Sequence, residues 1–119
     1  MKSALITIGS TREYIDPVRY ISNESSGKQG MALIKVLLKN NYRIVCLHGF
    51  IEVKPIISNR IKYIFTPTAK TMLNEAKKYH NLDLAIFNAA VSDFYVKNSS
   101  QKKIKKQKGL NIELKSNPD

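Results

Sequence analysis

Ala4-Leu5-Ile6-Thr7-Ile8-Gly9 opens the stretch that decides the fold, and Gly27-Lys28-Gln29-Gly30-Met31-Ala32-Leu33-Ile34-Lys35-Val36-Leu37-Leu38 closes it. The first is a short, β-rich apolar run ended by a glycine, the pattern of a buried strand. The second carries Met31, Leu33, Ile34, Leu37 and Leu38 at helical spacing. Ser26 is the expected N-cap, with Gln29 placed for a capping box. The helix should fade at Asn40-Asn41. Between strand and helix lies a polar segment, Ser10 to about Ser26, in which Pro17 disfavours helix at Asp16.

The same alternation continues outward. Arg43 to Leu47 reads as a second strand, Ile61 to Phe65 as a third and Leu84 to Phe87 as a fourth. A second helix is expected over Ala69 to Tyr79, with Met72, Leu73 and Ala76 on one face, and Leu110 to Leu114 alternates as an edge strand. Strands alternating with helices imply an α/β chain with a mainly parallel sheet, and such sheets bind ligands beyond the carboxyl ends of their strands. The unusual residues fall at those ends: 9–30, 88–94 and a lysine-rich stretch after 96.

The 119 residues are one domain's worth of sequence, long enough to bury a core without staples. A single cysteine, Cys46, excludes an internal disulfide and suits a reducing compartment. With His48 and His80 as the only other soft ligands, no zinc site is expected, and the metal prediction is none. The apolar run Ala4 to Ile8 is too short for a signal peptide or a membrane span, so a cytoplasmic protein is expected.

Lys and Arg total 20 against 9 for Asp and Glu, a formal charge of +11 that favours anionic partners. The charge is concentrated between Lys97 and Lys108, where six Lys accompany Ser99, Ser100 and three amides with no acid. One reading is a solvated loop; the other is a basic flap closing over a polyphosphate. No aromatic residue interrupts that stretch to stack a base, which argues against nucleic acid.

Residues 9–30 fail the Walker pattern twice: Ser22 stands where its first Gly belongs and Gln29 where its Ser or Thr belongs. The G-x-G-x-x-G fingerprint is absent too, which argues against a short-chain dehydrogenase despite Asn88-Ala89-Ala90 after a strand. The physics of an anion site remains. Ser25, Ser26 and Gly27 open a helix whose first N–H groups lack partners, and Lys28 adds a full charge. The plainer reading is that these residues only cap the helix.

Thr11-Arg12-Glu13, Ile15-Asp16-Pro17-Val18-Arg19-Tyr20-Ile21-Ser22-Asn23 and Ser25-Ser26-Gly27-Lys28 with Gly30 occur in order. Ala89-Ala90-Val91-Ser92-Asp93-Phe94, Lys103-Ile104-Lys105-Lys106 and Asn117-Pro118-Asp119 follow. Over essentially its whole length the chain resembles the phosphopantothenoylcysteine synthetase (phosphopantothenate–cysteine ligase) family, in its bacterial CTP-dependent type. In many bacteria that enzyme is the C-terminal domain of a bifunctional coenzyme A biosynthesis flavoprotein. The resemblance implies a three-layer Rossmann-like fold and a ligase joining 4′-phosphopantothenate to L-cysteine. CTP would be the co-substrate, with Mg2+ accompanying the nucleotide, through an acyl-cytidylate. It implies a homodimer in the intact family, and neither nucleic acid nor membrane as partner.

Residue by residue, Asn23 matches the family's Asn implicated in handling the acyl-cytidylate, though Asn also commonly shapes turns. Lys103 matches the flap lysine that meets the CTP phosphates, with Lys105 and Lys106 as helpers. Phe87, Ala89, Asp93, Pro118 and Asp119 match CTP-contacting positions. Ser25, Ser26 and Gly27 are assigned to phosphate from helix physics. Ser10, Asn88, Ser92 and Phe94 depart from frequent family residues without removing a catalytic group. Family members continue past Asn-Pro-Asp, so the expectation is one incomplete domain, residues 1–119, with its C-terminal part missing. The alternative function is a non-catalytic nucleotide-binding remnant.

Overall fold

A computed structural model describes all of residues 1–119. In chain order it forms β1 (Lys2–Ile8), β2 (Arg12–Tyr14), β3 (Tyr20–Ser22), α1 (Lys28–Lys39), β4 (Tyr42–His48), β5 (Ile61–Phe65), α2 (Ala69–Ala76), β6 (Leu84–Phe87), β7 (Phe94–Val96) and β8 (Leu114–Ser116). The central sheet has the order β5-β4-β1-β6 and every pairing in it is parallel. That order, with strands entered by crossovers, is the Rossmann-like arrangement expected from the sequence.

The period-2 alternation of β1 and β4 divides the core into two layers. Ala4, Ile6, Ile8, Ile44 and Cys46 face α1 through Met31, Ile34 and Leu37. Leu5 and Leu47 meet Met72 of α2 on the other face. The result is helix, sheet, helix. Gly30 of α1 sits so close to β1 that a Cβ there would lie 2.2 Å from the Ile8 Cγ2. Burial in this core pushes the Cys46 thiol up to about 12, so it is no nucleophile near neutral pH. No helix is long and apolar enough to cross a membrane.

Four local expectations are corrected. The capping box at Ser26 and Gln29 does not form: Gly27 is the N-cap, left-handed at φ 84°, and the third helical residue is then Gly30, which has no side chain to reach back. The Ser26 hydroxyl instead accepts from Lys28 N at 3.2 Å. Helix α2 ends at Ala76 rather than Tyr79, because the amides of Lys78 and Tyr79 fold back three residues to Glu75 and Ala76 in a tight last turn. The polar segment after Gly9 contains a hairpin, β2 with β3. The late strand forms at Leu114–Ser116, not Leu110 to Leu114, and pairs antiparallel with β7. With no buried face beneath it, hydrophobic alternation does not set its register.

The radius of gyration is 16.2 Å, against about 13.5 Å for a compact domain of this length. Residues 94–119 account for the excess: β7, β8 and the lysine-rich loop form an arm in which only Val96 is buried.

Candidate functional site

The site is built where β1, β4 and β6 end. The sheet is prolonged there by loops rather than by strands. Ser10 N donates to Phe50 O (3.2 Å), Phe50 N to Ser10 O (2.9 Å), Ala90 N to Gly9 O (2.8 Å) and Thr11 N to Ala90 O (3.3 Å). This stitching requires Gly49, since a Cβ at that position would lie 1.9 Å from the Ser10 carbonyl oxygen.

Two clefts flank the stitched loops. One, of about 680 Å³, is half apolar and lies between α2, the end of β6 and the chain's last residues. Phe87, Ala89, Asp93, Pro118 and Asp119 all line it, so five of the expected nucleotide-contacting residues come together. Its volume suits a small organic ligand. The other cleft, of about 360 Å³, is polar and includes Ser10, Arg12, Ser22, Asn23, Ser25 and Phe50. Asn23 joins the two: its Nδ2 donates to the carbonyl of Val91, a wall residue of the first cleft, at 3.2 Å.

Ser26 and Gly27 line neither cleft, but they end the segment that leads from the second to α1. The amides of Gln29 and Gly30 donate to no protein group, and the first turn of α1 carries no acid. A helix start of this kind attracts an anion. Lys103 is exposed and stands outside both clefts, while Lys105 and Lys106 border a hollow beside Arg19. Lys103 therefore does not converge with Phe87, Ala89, Asp93, Pro118 and Asp119 in this structure.

Several polar groups that the sequence did not single out as site residues hold the clefts. Thr11, fully buried, accepts from Ser92 N at its Oγ1 (2.9 Å), and the Ser22 hydroxyl donates to its carbonyl (2.7 Å). Glu13 accepts from Ala69 N at the start of α2 (3.1 Å) and from Asn117 Nδ2 (3.4 Å). Burial raises the Glu13 pKa above the usual carboxylate value, and these two hydrogen bonds only partly offset it. Asn117 Nδ2 also donates to Ser92 O (2.8 Å), and Asn117 N to Asp93 O (2.7 Å), so Glu13 and Asn117 tie α2, the 92–93 turn and the chain end together. The Arg12 guanidinium lies between the rings of Tyr20 (4.1 Å) and Phe50 (3.6 Å) at the polar cleft. Arg12 forms no ion pair with a carboxylate, so its charge is available to a ligand.

Asp16, within the β2–β3 turn, is buried. Burial alone would raise its pKa. The amides of Ile104, Val18 and Arg19 and the Arg19 guanidinium all donate to the carboxylate and outweigh that, holding it at about 2.

A sequence profile described as the DNA/pantothenate metabolism flavoprotein C-terminal domain matches residues 1–119. Curated relatives named coenzyme A biosynthesis bifunctional protein CoaBC are 38% identical over 98% of this chain in Thermococcus kodakarensis and 41% over 99% in Borreliella burgdorferi. The chain spans 29% and 30% of those proteins' lengths. Among solved structures, the C-terminal domain of a CoaBC protein superposes with a TM-score of 0.81 at 33% identity, covering 99% of this chain and 55% of that one. A flavoprotein of the same description from Streptococcus pneumoniae gives 0.86 at 25% identity, covering 100% of this chain and 62% of that one. The Cab2 mutant H337A in complex with phosphopantothenate-cysteine shares the fold, with a TM-score of 0.61 at 24% identity, over 99% of this chain and 57% of that one. The chain belongs to the DNA/pantothenate metabolism flavoprotein C-terminal domain family, the phosphopantothenoylcysteine synthetase part of the bifunctional coenzyme A biosynthesis protein.

Proposed function

We propose that this chain carries the nucleotide-activation chemistry of a phosphopantothenate–cysteine ligase. A carboxylate oxygen of 4′-phosphopantothenate attacks the α-phosphorus of CTP. A P–O bond forms, the α–β bridge breaks and pyrophosphate leaves. The amino group of L-cysteine then attacks the acyl carbon of the acyl-cytidylate, forming the C–N bond, releasing CMP and losing a proton. A carboxylate is a poor electrophile until it is joined to such a leaving group, so the protein's task is to hold anions together and stabilise developing charge.

The observation that carries this reading is the hydrogen bond from Asn23 to Val91, which links the half-apolar cleft to the polar one. In this reading the nucleotide occupies the first cleft, against Phe87, Ala89, Asp93, Pro118 and Asp119. The opening of α1 after Ser25, Ser26 and Gly27 receives a phosphate, and Asn23 steadies the acyl-phosphate junction without adding charge. Lys103 closes on the polyphosphate. Asp93 and Asp119 line one cleft and match the sparse carboxylate set with which Mg2+ accompanies a nucleotide, the phosphates supplying its other ligands. A homodimer and a cytoplasmic location follow from the same family reading.

The test is pyrophosphate release from CTP by the purified chain with 4′-phosphopantothenate present, first without and then with cysteine. Release at a catalytic rate, followed by product on adding cysteine, establishes the proposal. No release from a chain that melts cooperatively and binds CTP establishes the second reading, a nucleotide-binding fragment without turnover. That reading is favoured by the position of Lys103, which stands outside both clefts.

A further inference from the structure

The lysine-rich loop touches the body at very few points. From Gln101 to Ser116 every residue is exposed except Ile104. The side chain of Ile104 borders an apolar hollow shared with Ile15, Val96, Leu110 and Ile112. Both of its backbone polar groups are taken by one turn of the body: Ile104 N donates to Asp16 Oδ2 at 3.0 Å, and Ile104 O accepts from Arg19 Nη1 at 3.2 Å. Arg19 also pairs with Asp16. A neighbouring anchor comes from the same turn, where Ser100 N donates to Ile15 O at 2.9 Å.

The turn can hold itself without the loop. Val18 N and Arg19 N donate to Asp16 Oδ1 at 3.0 and 2.8 Å, and Ile15 N donates to Arg19 O at 2.9 Å. The second carboxylate oxygen of Asp16 faces Arg19 and the loop, and its Ile104 bond spans 88 positions of sequence. Consecutive Cα atoms stand 3.8 Å apart, so fixing the peptide groups of Ile104 fixes the stems of Lys103 and Lys105 as well.

We infer that Asp16, with Arg19, is a positioning latch that clasps the backbone of Ile104 and thereby sets where Lys103 presents its charge to a bound polyphosphate. The inference deepens the proposed function and rests on its assignment of Lys103 to the nucleotide phosphates. Neither side chain of the latch touches the ligand; both act through the loop.

Limited trypsin digestion of the chain, with cleavage sites read by mass spectrometry, tests the clasp. Asp16→Asn is expected to speed cleavage after Lys103 and Lys105 by about tenfold or more, the effect of losing a charge-assisted hydrogen bond when cleavage follows local opening. Cleavage after Lys78, in the body, serves as the internal reference. Should Asp16→Asn disrupt the turn itself, Ile104→Pro deletes the donating N–H and leaves Asp16 and Arg19 intact; it is read after Lys105. Unchanged cleavage in a folded variant overturns the latch.

Positioning is tested by titrating CTP with magnesium into the wild type, Asp16→Asn, Lys103→Gln and the double variant. If Asp16 acts through Lys103, each single change weakens binding severalfold and the double variant is no weaker than Lys103→Gln alone. Additive losses overturn the positioning role. If the loop is freed but neither single change alters CTP affinity, the clasp stands while the assignment of Lys103 to phosphate falls.

Discussion

The body, residues 2–90, and the arm, residues 94–119, are built on different physics. In the body, α1 and α2 cover both faces of a parallel sheet, and Ile6, Ile8, Ile34, Cys46 and Leu47 are wholly inaccessible. In the arm a three-residue strand pair, one buried valine, the clasp on Ile104 and the side chain of Asn117 are the main supports. Burial holds the first and directional polar contacts hold the second. A packed core tolerates little change of shape, whereas an arm held by a few hydrogen bonds can be moved by a ligand for little cost.

The contrast is broken most severely by truncating the core. Ile34→Ala should destabilise the chain by about 3 kcal/mol or more in urea unfolding, from lost transfer energy and the cavity left behind. Ile112→Ala, in the arm at 39% exposure, should change stability by less than about 0.5 kcal/mol. A comparable loss at both positions would mean that body and arm share one cooperative core.

A glycine pair sharpens the comparison at somewhat smaller scale. Gly49→Ala forces a Cβ against the Ser10 carbonyl and should cost about 2–3 kcal/mol, typical of overpacking against fixed backbone. Gly109→Ala, with nothing within 4 Å, should leave the melting curve unmoved. Differential scanning calorimetry of the two variants checks both.

The smallest effect is a pH dependence. Asp16 is lowered from 3.8 to about 2, so its contribution to stability is complete above the ordinary carboxylate range and is lost as pH falls from about 4 through about 2. The Ile104 amide resonance, followed by NMR down that range, should titrate with a midpoint near 2. A midpoint near 4 would mean that the carboxylate is free of its donors.

How much of this was legible in the sequence follows the same division. Ile61–Phe65 and Leu84–Phe87 were legible to the residue from their β-branched and aromatic content, although both are edge strands in which half-buried and exposed residues alternate. The hairpin around Asp16-Pro17 was not legible. Its strands are three residues each and the carboxylate that organises its turn is matched by amides, one of them 88 positions away. The residues expected to contact a nucleotide were named through the family motifs, and five of them line one cleft. Arg12, Glu13 and Asn117 escaped a role because nothing in one dimension shows two rings bracketing a guanidinium, or an acid reaching the start of α2. Lys103 was named through its match to the family's flap lysine, and such a match carries no information about where an exposed side chain rests.

The sheet order β5-β4-β1-β6 leaves one side of β6 without a hydrogen-bonded neighbour, and Phe87 at its end is 73% exposed. The strand reads Leu84-Ala85-Ile86-Phe87 and carries no lysine or proline, the residues that usually deter unwanted pairing along a free edge. A charge of +11 on each copy opposes such edge-to-edge pairing by long-range repulsion. That repulsion reaches about 10 Å at 0.1 M salt and about 3 Å at 1 M. Concentrated salt, so often used to keep a basic protein clear of contaminants, should therefore make this one cloud on storage, and dilute buffer should keep it clear.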